Sequence, residues 1–367
     1  MQAFELIIDS KVKTSPFTIV SIADFEFHKG ESVDPDLVLK QPNISLYCLD
    51  HENKQAIFVE TLPQVDLFQA PFYFIAQYEA AQRLIIVPYD TLHMLARRAK
   101  VDPERIILFY STGRCGSTLF SHVLNLNRAV VSFAEPDIFS QLVMLRTSAQ
   151  GSDEEIASLL FDSVMIMSAN AQQQGYGFYA FKFRSYVLSV SDLLYHSIPE
   201  AKLLFMYRNA LTWARSFSRA FGAPTDSALE TNLIQNGFRY MIPSVNIYLE
   251  THSHSISWLE YVARMWVSTM QDTGWLQEQG ADIGYARFED LKVAPRSVVE
   301  SLLAHCDIEL PGKEQLAMIL AKDSQAGTAG AQNKTKPARW LTDDDLEKLE
   351  QIIQKIAPEL EPNTILG

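Results

Sequence analysis

From residue 105 onward the sequence alternates short apolar runs with stretches of helical periodicity, and that alternation leaves few folds open. "RIILFY" (105–110), "AVVSFAE" (129–135), "FYAFKF" (178–183), "AKLLFMYR" (201–208) and "ADIGYARFED" (281–290) are rich in β-branched and aromatic residues and read as strands. Between them, "GSTLFSHVLNLN" (116–127), "SDEEIASLLFDSVMIMSANAQQQG" (152–175), "VSDLLYHSI" (190–198) and "ALTWARSFSRAF" (210–221) carry helical spacing. The second of these opens on a capping-box pair, Ser152 and Glu155. Strands joined by helices enter one sheet when they run parallel and the helices cover both faces. The expected class is therefore α/β, a parallel sheet flanked by helices. Residues 323–340 have loop composition, and "TDDDLEKLEQIIQKIAPEL" (342–360) reads as a final helix.

Residues 1–100 have a different texture. "FELIID", "FTIVSI", "ISLYCLD", "QAIFVE" and "RLIIVPY" are short runs separated by Pro, Asn, Asp and Gly, and read as strands of a small mixed or antiparallel sheet. "DTLHMLARRAK" (90–100) reads as a helix capped by Asp90. Two domains are expected: a β-rich N-terminal module, 1–100, and an α/β domain, 101–367. The module either covers the main domain or takes part in acceptor binding or dimerisation. The sequence leaves that choice, and the oligomeric state, open.

Composition excludes some functions. The formal charge of −13, from 31 Lys and Arg against 44 Asp and Glu, makes a poor general binder of nucleic acid or anionic membrane. The three cysteines, Cys48, Cys115 and Cys306, are too widely spaced for a disulfide framework or zinc cluster. No apolar run approaches the roughly 20 residues that span a bilayer. The opening "MQAFELIIDSKVKT" lacks the pattern of a secretory leader. A soluble, cytoplasmic protein is expected.

The stretch "YSTGRCGSTLF" (110–120) joins the first of the later strands to its helix. In a doubly wound sheet, ligands bind beyond the carboxyl ends of the strands. A helix N-terminus there offers N–H groups and a partial positive charge. Gly113 and Gly116 allow close backbone approach, Ser117 and Thr118 add hydroxyls, and Arg114 adds a charge. These are the parts of an oxyanion site. An NTPase loop would carry Lys after its last Gly. Here Gly116 is followed by Ser117, and Ser111 stands where the first Gly belongs. The spacing is also too short for the dinucleotide pattern G-x-G-x-x-G.

"GRCGSTLF" resembles the 5′-phosphosulfate loop of the sulfotransferases that use 3′-phosphoadenosine 5′-phosphosulfate (PAPS), with Arg114, Cys115, Gly116, Ser117 and Thr118 matching in order. "LFMYRNALTWARSF" is similar to that family's 3′-phosphate motif, a strand ending in Arg with a Ser eight residues on, here Arg208 and Ser216. "ARFEDLKVAPRSVVESLLAHCDIEL" (286–310) resembles a later strand-then-helix segment. "NKTKPARWLTDDDLEK" loosely resembles the C-terminal loop over the 3′-phosphate, with Lys334 nearest in spacing but without the family's Arg-Lys-Gly. The likeness covers about 105–360.

It implies a P-loop sulfotransferase-like fold with PAPS as donor and no metal. The sulfuryl group would pass to a hydroxyl or amine of a small-molecule acceptor by in-line displacement. The acceptor expected from the acidic balance is a cationic or secondary metabolite, with 226–266 shaping its pocket. Arg114 and Lys182 would serve as catalytic cations. Arg184 stands where one branch of the family has its histidine base, so the likeness points to Glu135, which ends the strand "AVVSFAE". Glu135 as an ion-pair partner of Arg184, and His122 or the histidines of "THSHS" (251–255) as bases, remain alternatives. So do two other readings of the chain: a P-loop kinase or NTPase, and a sulfotransferase-like protein that only binds nucleotide.

Overall fold

The computed structural model describes residues 2–16, 18–224, 227–252, 255–321 and 341–366. The N-terminal strands are β1 (Ala3–Lys11), β2 (Phe25–Val33), β3 (Ile44–Asp50), β4 (Gln55–Glu60) and β5 (Arg83–Pro88). They form an antiparallel sheet in the order β2-β1-β5-β4-β3. The run "FTIVSI" is not one of them. The Val20 N–H donates to Asp137 Oδ2 at 2.9 Å, and residues 22–24 form a 3₁₀ turn capped by Ser21. β2 was not legible because it is the edge strand: most of "FEFHKGESV" faces water, so no apolar alternation marks it. The helix after β5 is Tyr89–Arg98, with Pro88 rather than Asp90 at its N-cap. Asp90 sits in the first turn, where a negative charge favours the helix dipole.

The later strands are β6 (Ile106–Ser111), β7 (Val130–Ala134), β8 (Phe178–Lys182), β9 (Lys202–Tyr207) and β10 (Ile283–Arg287). Their order is β10-β9-β6-β8-β7. β10 pairs parallel with β9, from Ile283 opposite Leu203 to Arg287 opposite Tyr207. β7 pairs parallel with β8, from Val130 opposite Phe178 to Ala134 opposite Lys182. Every residue of β6 and β7 is buried, as a sheet covered by helices on both faces requires. The expected class, a parallel sheet flanked by helices with a β-rich N-terminal part, is the observed one.

The chain forms two compact units, each assembled from separate stretches. The first comprises 1–108, 127–183 and 192–202. Its antiparallel sheet packs Leu6, Tyr47, Ile57, Val59, Leu84 and Ile86 together with Phe25 and Phe74. Phe133 on β7 stacks on Phe181 on β8 with ring centroids 4.9 Å apart, and Phe68 and Tyr73 meet Phe133 edge-on. Helix Asp153–Gln173 is buried all round through its second half; Ser152 caps it by accepting the Glu155 N–H at 3.2 Å.

The second unit comprises 109–126, 184–191 and 203–367. Trp213 and Trp266 are buried in it. Its long helix Trp258–Glu278 is capped by Ser257, and its last helix, Asp343–Ile356, by the Thr342–Asp345 capping box. The 226–266 stretch is helical in several short pieces, including Pro243–Thr251. Among the described residues, no helix is long and apolar enough to cross a membrane.

One buried polar cluster in the first unit gives a stability test. The Asp24 carboxylate, 7% exposed, accepts from the Tyr47 hydroxyl at 2.6 Å, Lys13 Nζ at 2.9 Å and the Ser21 N–H at 3.0 Å. The Lys13 side chain is 3% exposed, so loss of its partner strands a charge in the interior. Asp24→Ala should cost about 3–5 kcal/mol in urea unfolding, whereas Lys13→Met with Asp24→Leu should recover most of that loss. A loss below about 1 kcal/mol for the single variant would mean that the cluster is solvated.

Candidate active site

The second unit carries the glycine-containing loop. β6 ends at Ser111, and the chain turns sharply: Gly113, Arg114 and Gly116 have φ of +71°, +54° and +90°. Three left-handed residues among four curl the backbone into a concavity of the kind that gathers N–H groups around an anion. Helix Ser117–Leu124 starts at once, with Gly116 at its N-cap. Its first N–H groups have no partners within the helix.

Two contacts fix the loop from β9 and the next helix. The Thr112 N–H donates to the Met206 carbonyl at 3.0 Å, and Trp213 Nε1 donates to the Thr112 carbonyl at 2.8 Å. A Cβ at Gly116 would stand 2.7 Å from Leu291 Cδ2, whereas one at Gly113 would meet nothing within 4 Å. Gly116 is thus required for both conformation and space, Gly113 for conformation alone.

Arg208 follows β9 directly, and Ser216 lies two turns into helix Ala210–Phe221, whose N-terminus Asn209 caps. The structure brings both to the loop. Arg114 Nε donates to Ser216 Oγ at 3.3 Å, and Arg208 Nη1 donates to the Arg114 carbonyl at 3.1 Å. Arg208 Nε also donates to Thr212 Oγ1 at 3.0 Å, and its guanidinium lies 4.2 Å from the centre of the Phe288 ring. Burial holds Arg208 below the usual arginine range; the charge of Glu289 opposes that shift, and Arg114 and Arg219 reinforce it. The repulsion that Arg114 and Arg219 exert on Arg208 is the kind that a bound anion relieves.

Arg219 and Glu289 were not singled out in the sequence. Arg219 follows Ser216 by three residues and so shares its helix face, a spacing that could have flagged it. Glu289 lies in the "ARFEDL" stretch, but only the tertiary fold brings it to Thr212, whose hydroxyl lies 3.1 Å from Glu289 Oε1.

The other residues of the loop divide by role. Ser117 and Thr118 are buried at the helix start. The Cys115 thiol turns inward and donates to the Met206 carbonyl at 3.3 Å, so this residue can offer a ligand only its backbone. His122 is half-buried in the last turn of the helix. His252 stacks on Tyr248 with ring centroids 4.0 Å apart. Lys334, Trp340 and His254 lie outside the described residues.

In the first unit, Glu135 follows β7 and Lys182 ends β8. The Glu135 carboxylate pairs with Lys182 Nζ, and the Glu135 N–H donates to the Lys182 carbonyl at 2.7 Å. Lys182 is therefore not an exposed edge charge: its side chain is 3% exposed, a burial its ion pair makes tolerable. Glu135 has φ of +61°, the left-handed region that a side chain adopts only at a cost. Arg184 does not continue the strand. It precedes the 3₁₀ turn Ser185–Val190 and donates to the Tyr186 hydroxyl at 3.0 Å.

Among the described residues, no group of three or more His, Cys, Asp or Glu side chains is placed to hold a metal ion. No family model and no curated protein matches the chain. Solved structures do. A sulfotransferase from Alicyclobacillus acidocaldarius is 14% identical, with 68% of this chain and 94% of that one covered at a TM-score of 0.37. Sulfotransferase STF9 from Mycobacterium avium is 13% identical, covering 74% and 82%, with a TM-score of 0.40. Mouse sulfotransferase SULT7A1, solved in complex with PAP, is 9% identical, covering 70% and 85%, with a TM-score of 0.37. At identities this low the chemistry has to be read from the chain's own residues.

The two glycines of the loop should respond differently to alanine. Gly113→Ala should lose only the left-handed backbone preference, about 1–2 kcal/mol. Gly116→Ala should lose that and a further 1–3 kcal/mol, roughly, from overlap with Leu291. Equal losses in chemical denaturation would contradict the tight approach at Gly116.

Proposed function

We propose that the chain is a PAPS-dependent sulfotransferase acting on a hydroxyl or amine of a small molecule. The observation that carries the reading is the meeting of Arg114, Arg208 and Ser216 in one hydrogen-bonded cluster at a left-handed loop and helix start. Such a cluster suits two separate anionic groups of one nucleotide: backbone N–H groups for the first, guanidinium and hydroxyl groups for the second. Ser117 in place of the NTPase lysine removes the group that serves a triphosphate.

In this reading Gly116, Ser117 and Thr118 hold the 5′-phosphosulfate, with Cys115 contributing its backbone. Arg114 stabilises the negative charge that grows on the leaving phosphate. Arg208 and Ser216 bind the 3′-phosphate, with Lys334 from the C-terminal loop completing that site. Bound PAPS supplies an activated sulfuryl group. The acceptor oxygen or nitrogen forms its bond to sulfur as the bond from sulfur to the phosphate oxygen breaks, and adenosine 3′,5′-bisphosphate departs. Most of the catalysis is then positioning and charge stabilisation. Glu135 takes the acceptor's proton, since an ionised carboxylate is an acceptor only and Arg184 cannot accept a proton. Lys182 holds that carboxylate in place and serves, in this reading, as the second catalytic cation.

Arg208→Ala should weaken binding of adenosine 3′,5′-bisphosphate at least tenfold in calorimetry, because hydrogen bonds to charged groups are worth about 1.5–3 kcal/mol. An unchanged affinity in a folded variant would put the 3′-phosphate elsewhere. Glu135→Gln keeps the shape and removes the basicity. It should lower kcat for sulfuryl transfer to a panel of phenols, alcohols and amines about 10²-fold, with nucleotide affinity nearly unchanged. A Gln variant of full activity would transfer the role of base to His122 or to a histidine of 251–255.

A further inference from the structure

The first unit contains a cavity of about 250 Å³ lined by polar and aromatic side chains. It lies within that unit alone, and no step of the proposed reaction uses it. Among the described residues, the lining includes one ionisable carboxylate, Asp66, and no Lys, Arg or His. A site without a cation is poorly suited to phosphate, sulfate or carboxylate ligands.

The hydrogen bonds of its amide side chains narrow the chemistry further. Both N–H groups of Asn170 are spent on main-chain carbonyls, of Gln41 at 2.9 Å and Ile44 at 2.8 Å. Gln174 Nε2 donates to the Pro42 carbonyl at 3.2 Å and to Asn170 Oδ1 at 3.4 Å. Asn43 Nδ2 donates to the Thr61 carbonyl at 2.7 Å. Carbonyl partners accept only, so these contacts fix which end of each amide is nitrogen. These bonds turn the amide nitrogens toward protein acceptors and leave the oxygens of Asn43 and Gln174 for a ligand, while Gln64, Tyr73 and Tyr176 add groups that can donate as well as accept. Asp66 adds a carboxylate: its Oδ1 accepts the Phe68 N–H at 3.0 Å, which holds the side chain at the start of a 3₁₀ turn.

Aromatic rings complete the wall. Phe68 stacks on Tyr73, with centroids 5.9 Å apart, and meets Tyr176 edge-on at 5.6 Å. Burial, and next the charge of Asp66, push the Tyr176 phenol above its ordinary value, which places that carboxylate within electrostatic reach of the ring. A cavity rich in acceptors, with one negative charge and aromatic faces, is complementary to a ligand rich in N–H donors and positively charged.

We propose that this cavity binds a small organic cation, a primary ammonium or guanidinium compound, between the Asp66 carboxylate, the amide oxygens of Asn43 and Gln174, and the Tyr176 ring. Its volume is below the roughly 300–1,000 Å³ of drug-sized sites, so the occupant has the size of a short diamine. The site is independent of the transferase reading, because its residues belong to neither anion motif.

Calorimetric titration of the full chain tests this with agmatine, which carries a guanidinium and an ammonium, putrescine, which carries two ammonium groups, and 1,4-butanediol as the uncharged counterpart. Saturable binding of agmatine or putrescine at one equivalent, with no heat from butanediol, is the expected result; which amine binds tells guanidinium from ammonium. Asp66→Asn keeps the acceptor for the Phe68 N–H and removes the charge, so it should weaken binding at least tenfold with an unchanged melting midpoint. Tyr176→Leu should weaken binding through the ring alone. Absence of saturable binding by both amines, an affinity that neither variant changes, or butanediol binding as tightly as the amines would overturn the proposal. The titration contains no sulfuryl donor, so its failure says nothing about transferase activity.

Discussion

The arrangement of the second unit depends on a short piece of backbone held against its preference. Arg114 sits in the left-handed region between two glycines that also do, a cost of order 1–3 kcal/mol for a residue with a side chain. The surrounding contacts hold it there. The Thr112 N–H is tied to Met206, the Thr112 carbonyl to the Trp213 indole, and the Arg114 carbonyl to Arg208. Two ties begin on Thr112 and one on Arg114, so the turn cannot relax without breaking a contact to a buried tryptophan or to the end of β9. The loop backbone leading into the helix N-terminus and the Arg208 guanidinium are thereby held in place. Preorganisation of this kind makes electrostatic stabilisation effective, since little energy goes into reorienting groups as charge develops.

The same logic appears in the first unit at Glu135. Its left-handed φ and its ion pair to a buried lysine are both costly in isolation. Two such costs at the carboxyl end of one strand are unusual for a residue that only fills a turn. Strain gathered at a charged pair of this kind is the pattern expected where a side chain must be aimed.

Much of this was legible in the sequence, for physical reasons that can be named. The strand-loop-helix at 106–124 and the Arg208–Ser216 pair are local chemistry: a β run, a turn that requires glycine, a helix start and a helix spacing. Local chemistry survives translation into structure. β2 was missed because an edge strand has little core to mark it, and "FTIVSI" was misread because apolar residues can be buried beside a turn as well as in a strand. Helix Ile138–Thr147 was missed because it is apolar on most sides, so no period stands out. That Glu135 pairs with Lys182 turned on where β8 ends, and element ends are weakly encoded. Glu289 meets Thr212 only through tertiary packing, whereas Arg219 shares the Ser216 face of one helix and was overlooked.

The central claim is that the second unit reads two anionic groups on one nucleotide, and calorimetry with a matched pair of nucleotides tests it most directly. Adenosine 3′,5′-bisphosphate and adenosine 5′-monophosphate differ only in the phosphate assigned to Arg208 and Ser216. With two hydrogen-bonding partners to that charged group, each worth about 1.5–3 kcal/mol, the bisphosphate should bind at least about 100-fold more tightly. Equal affinity for the two nucleotides, or tighter binding of ATP with magnesium than of the bisphosphate, would contradict the account.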